Sequence, residues 1–375
     1  MEILQLSDYN IYVGSVAEGL AQFLEGKNYA RYIALCDENT EKHCLPILEA
    51  HFPAIDFLTV KIPAGEAYKN INTCQSIWRQ LMVAGVDRKA LVLNLGGGVI
   101  GDMGGFCAAT FKRGLDFVQI PTTLLSQVDA SIGGKLGIDF ANVKNSIGLF
   151  CNPKAVFIEP DFLKTLSQRE IRSGFAEIIK HSLIADAEQW QRIGGWEDGK
   201  MERLEDWKGG TEEIRKLENY EKGKFPNSLI SESLKIKQRI VTEDPFEKGI
   251  RKALNFGHTI GHALESLFLE TDHPLLHGEA IAIGMICESW LSHKKLNLSV
   301  ADLQNITQLL INLYGHPIVP EKDFGLLLDL MQNDKKNEQD RINFSLIQPL
   351  GNCVINQYVD TEDILESIRF YNEIQ

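Results

Sequence analysis

Short apolar runs of strand length alternate with helical periodicity through the first third of the chain. YIALC (Tyr32–Cys36), FLTVKI (Phe57–Ile62), ALVLNL (Ala90–Leu95) and DFVQIP (Asp116–Pro121) are the predicted strands. Strands interleaved with helices in this way predict an α/β domain on a mostly parallel sheet. From about Asp161 the pattern changes to long amphipathic stretches with helical period, beginning with LSQREIRSGFAEIIKHSLI. Ser167, with Glu170 three residues later, supplies a capping box at its start. RINFSLIQPLGNCVINQYV departs from the helical pattern and reads as a two-stranded hairpin around Pro349 to Asn352. The expectation is an α/β domain over residues 1–160 and a mainly α-helical domain over 161–375.

One stretch breaks the second half. Residues 189–224 are rich in charge and glycine and poor in aliphatic side chains, which predicts a charged surface insertion. Trp190, Trp196 and Trp207 within it predict partial docking on the helical domain.

Composition narrows the function classes. A 375-residue chain with 44% hydrophobic residues can bury a large core. Its net charge of -13 repels nucleic acid and anionic membrane surfaces, so neither is an expected partner. An anionic substrate would need a local basic pocket. The seven cysteines show no C-x-x-C spacing, which argues against a disulfide framework or a cysteine zinc site and for a reducing cytoplasm. No apolar run reaches membrane-span length, and the N-terminus lacks the basic-then-apolar pattern of a secretory signal.

Two glycine-rich segments suggest phosphate chemistry. LVLNLGGGVIGDMGGF runs from a strand through Gly96, Gly98 and Gly101 into a helix, so backbone amides could face a diphosphate. The match to G-x-G-x-x-G is weak alone, because the strand is not the first and no acid follows at the usual spacing. Asp37 and Glu38, just after an earlier strand, can accept ribose hydroxyls, which makes a dinucleotide plausible. In QIPTTLLSQVDASIGGKLGID, Leu136 occupies the place where a phosphate loop needs Ser or Thr, which disfavours a nucleotide kinase. Asp129, Lys135, Lys144 and Asn145 remain as polar residues there, each equally readable as a solvated loop position.

The segment RKALNFGHTIGHALES carries the strongest constellation. On one continuous helix Arg251, Asn255, His258 and His262 would fall in a stripe about 60° wide. Leu254, Gly261, Leu264 and Phe268 would form the apolar stripe beside it. A basic, amide and imidazole row next to a buried face predicts a wet cavity. The pair lacks the glutamate of a zinc protease beside the first histidine. His277 precedes another amphipathic helix, and Glu177 and Lys180 share a face of an earlier one. Three N/O ligands with an open position suit a catalytic zinc. Spacing favours His258 with His262 as the histidine pair and does not separate it from His258 with His277.

Together, GGGVIGD, PTTLLSQVDASIGGK, VKNSIG, FAEIIKH, RKALNFGHTIGHALE and LLHGEA resemble the 3-dehydroquinate synthase family of sugar-phosphate cyclases, from about Gly65 to Asn337. The resemblance implies an N-terminal NAD-binding α/β domain, a helical metal- and substrate-binding domain and a homodimer. It implies conversion of 3-deoxy-D-arabino-heptulosonate 7-phosphate, a phosphorylated sugar acid, into 3-dehydroquinate and orthophosphate in the shikimate pathway. Zinc, or cobalt in its place, would be held by Glu177, His258 and His277, with His262 left to the substrate. NAD would meet Asp37, Glu66, Lys69, the turn Gly98, Val99, Ile100, Gly101 and Asp102, then Thr122, Thr123, Asp129, Lys144 and the stretch Phe162, Leu163, Lys164 and Thr165. Substrate contacts and catalysis would fall to Lys135, Asn145, Lys180, Lys237, Arg251, Asn255 and one of Lys335 and Lys336, and Arg113 would reach the neighbouring subunit's site.

The implied chemistry is transient oxidation of a substrate hydroxyl by NAD, β-elimination of phosphate, return of hydride, ring opening and an intramolecular aldol closure. Phosphate and carboxylate on one substrate call for several cations inside an acidic protein. The chain departs from the more compact family pattern in the 189–224 region and in SLFLETDHPLL, where His273 rivals for the third metal position. Sibling cyclases, the amino-analogue synthase foremost, share the NAD and metal machinery, and metal-dependent polyol dehydrogenases would show net NADH formation. A catalytically silent nucleotide-binding relative would be expected to lack some of Glu177, Lys180, His258 and His277, all of which are present.

Overall fold

The computed structural model describes residues 1–141, 143–194, 225–269, 271–332 and 341–374. The chain divides into two compact units, Met1–Ser167 with Glu221–Thr242 and Gln168–Tyr220 with Glu243–Gln375. In the first unit β1 (Glu2–Gln5), β2 (Asn10–Val13), α1 (Val16–Leu24), β3 (Arg31–Asp37), α2 (Glu38–His43), α3 (Leu45–His51) and β4 (Phe57–Ile62) are followed by α4 (Ile71–Val83), β5 (Ala90–Gly96) and α5 (Gly98–Thr110). Then come β6 (Asp116–Pro121), β7 (Lys135–Phe140), β8 (Val143–Phe150) and β9 (Ala155–Ile158).

The four strands expected from the sequence are β3 to β6. They lie in a seven-stranded sheet of order β1-β2-β9-β6-β5-β3-β4, parallel apart from the β1–β2 pair. Side-chain alternation builds a core on each face. Ile33, Leu35 and Val92 pack with Ile77, Leu81 and Met103 on one side, and Ala34, Leu91, Leu93 and Leu95 with Val16, Leu20 and Leu48 on the other. A strand covered on both faces has no solvent-facing polar row, which is why ALVLNL reads as a nearly continuous apolar run. β7 and β8 form a separate antiparallel hairpin.

The second unit opens with α6 (Gln168–Ala185) and α7 (Ala187–Gly194), after which α8 (Asn227–Glu243) packs with the first unit. There Lys235 Nζ pairs with Glu2 at 2.8 Å and Gln238 Nε2 donates to Gln5 O at 2.6 Å. The second unit continues with α9 (His258–Phe268), α10 (His277–Leu296), α11 (Val300–Tyr314), α12 (Phe324–Gln332), β10 (Ile342–Ile347), β11 (Cys353–Val359) and α13 (Thr361–Asn372). α10 packs against α6, α9, α11 and α13, and its sequence accordingly shows no single apolar stripe. β10 and β11 form the expected hairpin, with Ile342 opposite Val359 and Ile347 opposite Cys353.

Two expectations meet the structure differently. The helix imagined through Arg251 and His262 is broken: Ile250–Asn255 is a 3₁₀ segment, Gly257 is left-handed at φ +79°, and α9 starts at His258. The 60° stripe therefore does not exist, because a left-handed residue redirects the chain between Asn255 and His258. Of the charged stretch, Gln189–Gly194 ends α7 with Trp190 and Ile193 buried. Trp196, Trp207 and the rest to residue 224 lie outside the described residues.

Candidate active site

Three helices of the second unit bring Glu177, His258 and His277 together. Glu177 lies on α6, and the histidines are the first residues of α9 and α10. His258 Nε2 is 3.4 Å and His277 Nε2 3.3 Å from Glu177 Oε1, and one ligand atom from each of the three lies within 4.8 Å of the others. Glycine allows this approach: a Cβ at Gly278 would lie 2.0 Å from Ser173 O. Gly278 N donates to Ser173 Oγ at 3.0 Å, which seats the start of α10 one turn from Glu177. The loop before His277 is braced as well. Leu276 N donates to Glu279 at 2.7 Å, while Arg169 donates to both Glu279 oxygens at 2.7 Å and to Pro274 O at 2.7 Å.

The ring orientations decide what this group can hold. His258 Nδ1 is 3.1 Å from Phe256 O, and His277 Nδ1 is 3.2 Å from Glu265 Oε2. With a proton on each Nδ1, both Nε2 lone pairs point toward Glu177. A tetrahedral zinc with bonds of about 2.0–2.1 Å sets its ligand atoms roughly 3.3 Å apart, the spacing of Glu177 Oε1 from each histidine. Two imidazoles and a carboxylate thus fit a divalent ion with a position left open. His262, Glu265 and His277 form a second group of ligand types. A His277 Nδ1 that donates to Glu265 cannot also bind an ion, so the two groups are alternatives. His262 still belongs to the cluster, its ring 5.0 Å from that of His258. His273 is exposed and in neither group.

Charge tunes the same cluster. Lys180 pairs with Glu177, and both are fully buried. Burial, and next the Lys180 cation, hold His258 well below the usual imidazole range. Burial pulls on His277 too, but Glu177 and Glu265 outweigh it and raise that ring to about 10.

A cavity beside the histidines is lined by Lys252, Asn255, His258, Thr259, His262, Asn343 and Ser345. Asn255 Nδ2 donates to Glu247 Oε1 at 2.7 Å, and Ser345 Oγ to Lys252 O at 2.7 Å. Arg251 is absent from that wall: it is buried, with Nη1 donating to Pro245 O at 2.6 Å. Motif reading missed Lys252, Asn343 and Ser345, and also Glu265 and Glu279. Glu265 had a signal, since it lies one turn beyond His262 on the same helix. Lys335 and Lys336 lie outside the described residues.

In the first unit, strand order reverses between β3 and β5: β4 lies beyond β3, while β5 joins its other side. Such a switch point opens a crevice at the carboxyl ends of the strands. Leu35 pairs with Asn94, so Asp37 and Gly96 stand at neighbouring strand ends there. α5 begins at Gly98 without a side-chain cap, so its first amides, from Gly98 to Ile100, can receive a phosphate, while Gly101 N already donates to Gly97 O at 3.0 Å. Asp37 caps α2 through Oδ1, accepting from Asn39 N at 2.9 Å and Thr40 N at 2.8 Å. Lys69 Nζ lies 2.7 Å from Asp102 Oδ2 and 2.6 Å from Asn145 Oδ1, and Lys144 Nζ is 3.4 Å from Glu66.

Thr122 N donates to Gly96 O at 3.0 Å and Thr123 N to Ser126 Oγ at 3.2 Å. Asp129 sits in a π-helical turn and pairs with Lys237 of α8 at 2.6 Å. Lys135 is exposed at the start of β7. Phe162 and Leu163 are buried, leaving only their backbone for a ligand, while Lys164 is exposed and paired with Asp161 and Thr165 Oγ1 donates to Phe162 O at 3.5 Å. Arg113 is exposed and left-handed, φ +67°, next to Lys112 at φ +49°.

Comparison with known proteins identifies the family. The family model for the 3-dehydroquinate synthase N-terminal domain matches residues 59–173, and that for the C-terminal domain matches 174–337. A 3-dehydroquinate synthase of Parabacteroides distasonis is 42% identical over 355 residues, covering 94% of this chain and 95% of that protein. Among solved structures, 2-epi-5-epi-valiolone synthase of Streptomyces hygroscopicus subsp. jinggangensis 5008, with NAD+ and Zn2+ bound, aligns at TM-score 0.83 and 25% identity, covering 100% of this chain and 99% of that one. A 2-deoxy-scyllo-inosose synthase complexed with carbaglucose-6-phosphate, NAD+ and Co2+ shares the fold at TM-score 0.79 and 23% identity, covering 98% and 99%. With both family domains in order along one chain and near-full-length identity to a curated member, this protein is an enzyme of the 3-dehydroquinate synthase family, within the sugar-phosphate cyclases.

Proposed function

We propose that the protein converts 3-deoxy-D-arabino-heptulosonate 7-phosphate into 3-dehydroquinate and orthophosphate, as a carbon–oxygen lyase that depends on NAD and a divalent metal. The observation that carries this reading is the convergence of His258 Nε2, at 3.4 Å, and His277 Nε2, at 3.3 Å, on Glu177 Oε1 in a chain of this family. These three residues would hold zinc, with cobalt as the alternative ion. When bound, the ion would supply Lewis acidity toward a substrate hydroxyl, and NAD a reversible hydride acceptor.

The chain's own residues do the rest. His258 is kept neutral by burial and by Lys180, while Glu265 holds one His277 proton on Nδ1 and a bound ion would displace the other from Nε2, so both rings would offer Nε2. Asp37 accepts ribose hydroxyls and the α5 amides from Gly98 to Ile100 receive the diphosphate, supported by Glu66, Lys69, Asp102, Thr122, Thr123, Asp129, Lys144 and the backbone of 162–165. In a chain of net charge -13, the substrate's phosphate and carboxylate require local cations, and Lys135, Lys180, Lys237, Arg251 and one of Lys335 and Lys336 are assigned to them. Asn145, Asn255 and His262 orient the hydroxyls. The functional division is residues 1–160, joined by the backbone of 162–165, for the nucleotide and the remainder of 161–375 for most metal and substrate contacts.

A homodimer is the proposed assembly, with Arg113 serving the neighbouring subunit's site. Phe140 (53%), Val143 (44%), Ile147 (37%) and Phe150 (48%) stand exposed on the β7–β8 hairpin, apolar surface of the kind a second subunit covers. All seven cysteines are free, in keeping with a reducing cytoplasm. Among the described residues no helix is long and apolar enough to cross a membrane.

The test is orthophosphate release from the heptulosonate phosphate with NAD present, NADH absorbance followed in parallel, and a chelator-treated control. Chelator-sensitive phosphate release without accumulating NADH is expected. No release from metal-loaded protein would sink the assignment, and net NADH would point to a dehydrogenase.

A further inference from the structure

Helix α9 starts at a metal-site histidine yet lacks a cap of its own, since Gly257 has no side chain to offer. The cap comes from another helix. Glu288 of α10, fully buried, places Oε2 2.7 Å from Gly257 N and Oε1 3.4 Å from Ile260 N. Glycines bring the two helices close enough for this reach. A Cβ at Gly284 would lie 2.0 Å from Gly257 O, one at Gly257 2.5 Å from Met285 Cγ, and one at Gly261 2.7 Å from Ile281 Cδ1.

The amide that Glu288 engages belongs to a particular peptide unit. Gly257 N–H and Phe256 C=O are the two ends of one planar group, and Phe256 O is the acceptor facing His258 Nδ1 at 3.1 Å. A line therefore runs from the Glu288 carboxyl group, through one peptide, to the His258 ring. His277 has its carboxyl group directly, in Glu265. We infer that Glu288 is a positioning residue for the metal site, fixing the Phe256–Gly257 peptide that orients His258 and setting the register of α9 on α10. Both histidines open their helices, so that register also sets the separation of His258 from His277. A side chain that only filled space in this apolar helix would be cheaper without polar atoms, whereas here it satisfies amides at the turn bearing a ligand.

The inference rests on the reading of Glu177, His258 and His277 as the ligand set, and the experiment separates the two. Zinc affinity of the folded apoprotein is measured by competition with a chromophoric chelator for wild type, Glu288→Met, Glu288→Gln and His258→Ala, with circular dichroism on each. Leu310→Ala, a buried change on α11, is the control for general destabilisation. Glu288→Met keeps the volume and removes the acceptors, so a 10- to 100-fold weaker affinity is expected, as for other groups that orient metal ligands. Glu288→Gln keeps one acceptor and should fall between, at least about threefold weaker, while Leu310→Ala binds like wild type. Wild-type affinity in folded Glu288→Met and Glu288→Gln, beside a His258→Ala that loses the metal, overturns this inference alone. Wild-type affinity in His258→Ala overturns the ligand reading and this inference with it. Should Glu288→Met not fold, the shape-conserving Glu288→Gln decides by the same threshold.

Discussion

Glu265 Oε2 lies 3.2 Å from Nδ1 of His277, on the side of the ring away from Glu177. A carboxylate behind a ligating imidazole fixes its tautomer and raises its basicity. Glu265→Gln should therefore weaken metal binding by about 10- to 100-fold while leaving the fold intact. Chelator competition on the apoprotein checks this, and unchanged affinity would remove Glu265 from the site's support.

The nucleotide side makes a separate prediction. Lys69 is nearly buried, with its ammonium 2.7 Å from Asp102 Oδ2 and 2.6 Å from Asn145 Oδ1. Removing one partner of a buried pair leaves the other charge unmatched, so Lys69→Met should lower stability by about 3 kcal/mol. NAD affinity should fall with it, since Lys69 and Asp102 both belong to the proposed nucleotide contacts. Adding Asp102→Asn should recover part of the stability, because the orphaned charge is then gone. Urea denaturation of the single and double variants gives the answer. Equal stability of Lys69→Met and wild type would show the pair to be energetically idle.

How far the sequence could be read depended on the range of the interactions involved. β3, β5 and β6 were legible because a strand buried on both faces writes an apolar run into its own residues, and edge strand β4 because FLTVKI is rich in aromatic and β-branched residues. The crevice between Asp37 and Gly96 was not, because it depends on strand order, which no local pattern encodes. The same holds for the break before His258. Gly257 takes a left-handed conformation where Gly284 and Met285 of another helix press against it, so periodicity alone ran one helix straight through. The expected pairing of His258 with His262 has a separate origin, since α9 carries both. On one helix they share a face, but Nε2 of His258 meets Glu177 and His277 only through the packing of α6, α9 and α10. Resemblance supplied the alternative set that geometry could not.

The pH dependence of stability should carry a signature of Glu288. Burial pushes its carboxyl up to about 8, against the downward pull of the Gly257, Ile260 and Thr259 amides. In the unfolded chain the same group titrates near its ordinary value of 4.5. Between these values the folded protein holds a proton that the unfolded chain has lost, so stability falls as pH rises through that window. Below it both states are protonated and above it both are ionised, so the contribution is flat. Glu288→Gln removes this term, and the stability of wild type relative to the variant should decline from about pH 5 to pH 8. Paired urea titrations across that range test it, since other groups cancel in the difference. A pH-independent gap would mean that the carboxyl group titrates near its ordinary value.

The proposed dimer makes the last prediction. Arg113 is exposed on a left-handed turn, whereas Lys180 is buried beside Glu177, so their substitutions disable different parts of the machinery. If Arg113 serves the neighbouring subunit's site, a mixed dimer of Arg113→Ala and Lys180→Ala chains has one site with both defects and one with neither. Equal mixing makes half the dimers mixed, so restored activity should approach about a quarter of wild type. Each variant alone should be nearly inactive. Subunit exchange is confirmed separately with a size tag on one chain and native mass spectrometry. Exchange without recovered activity would place Arg113 in its own subunit's site or outside the machinery.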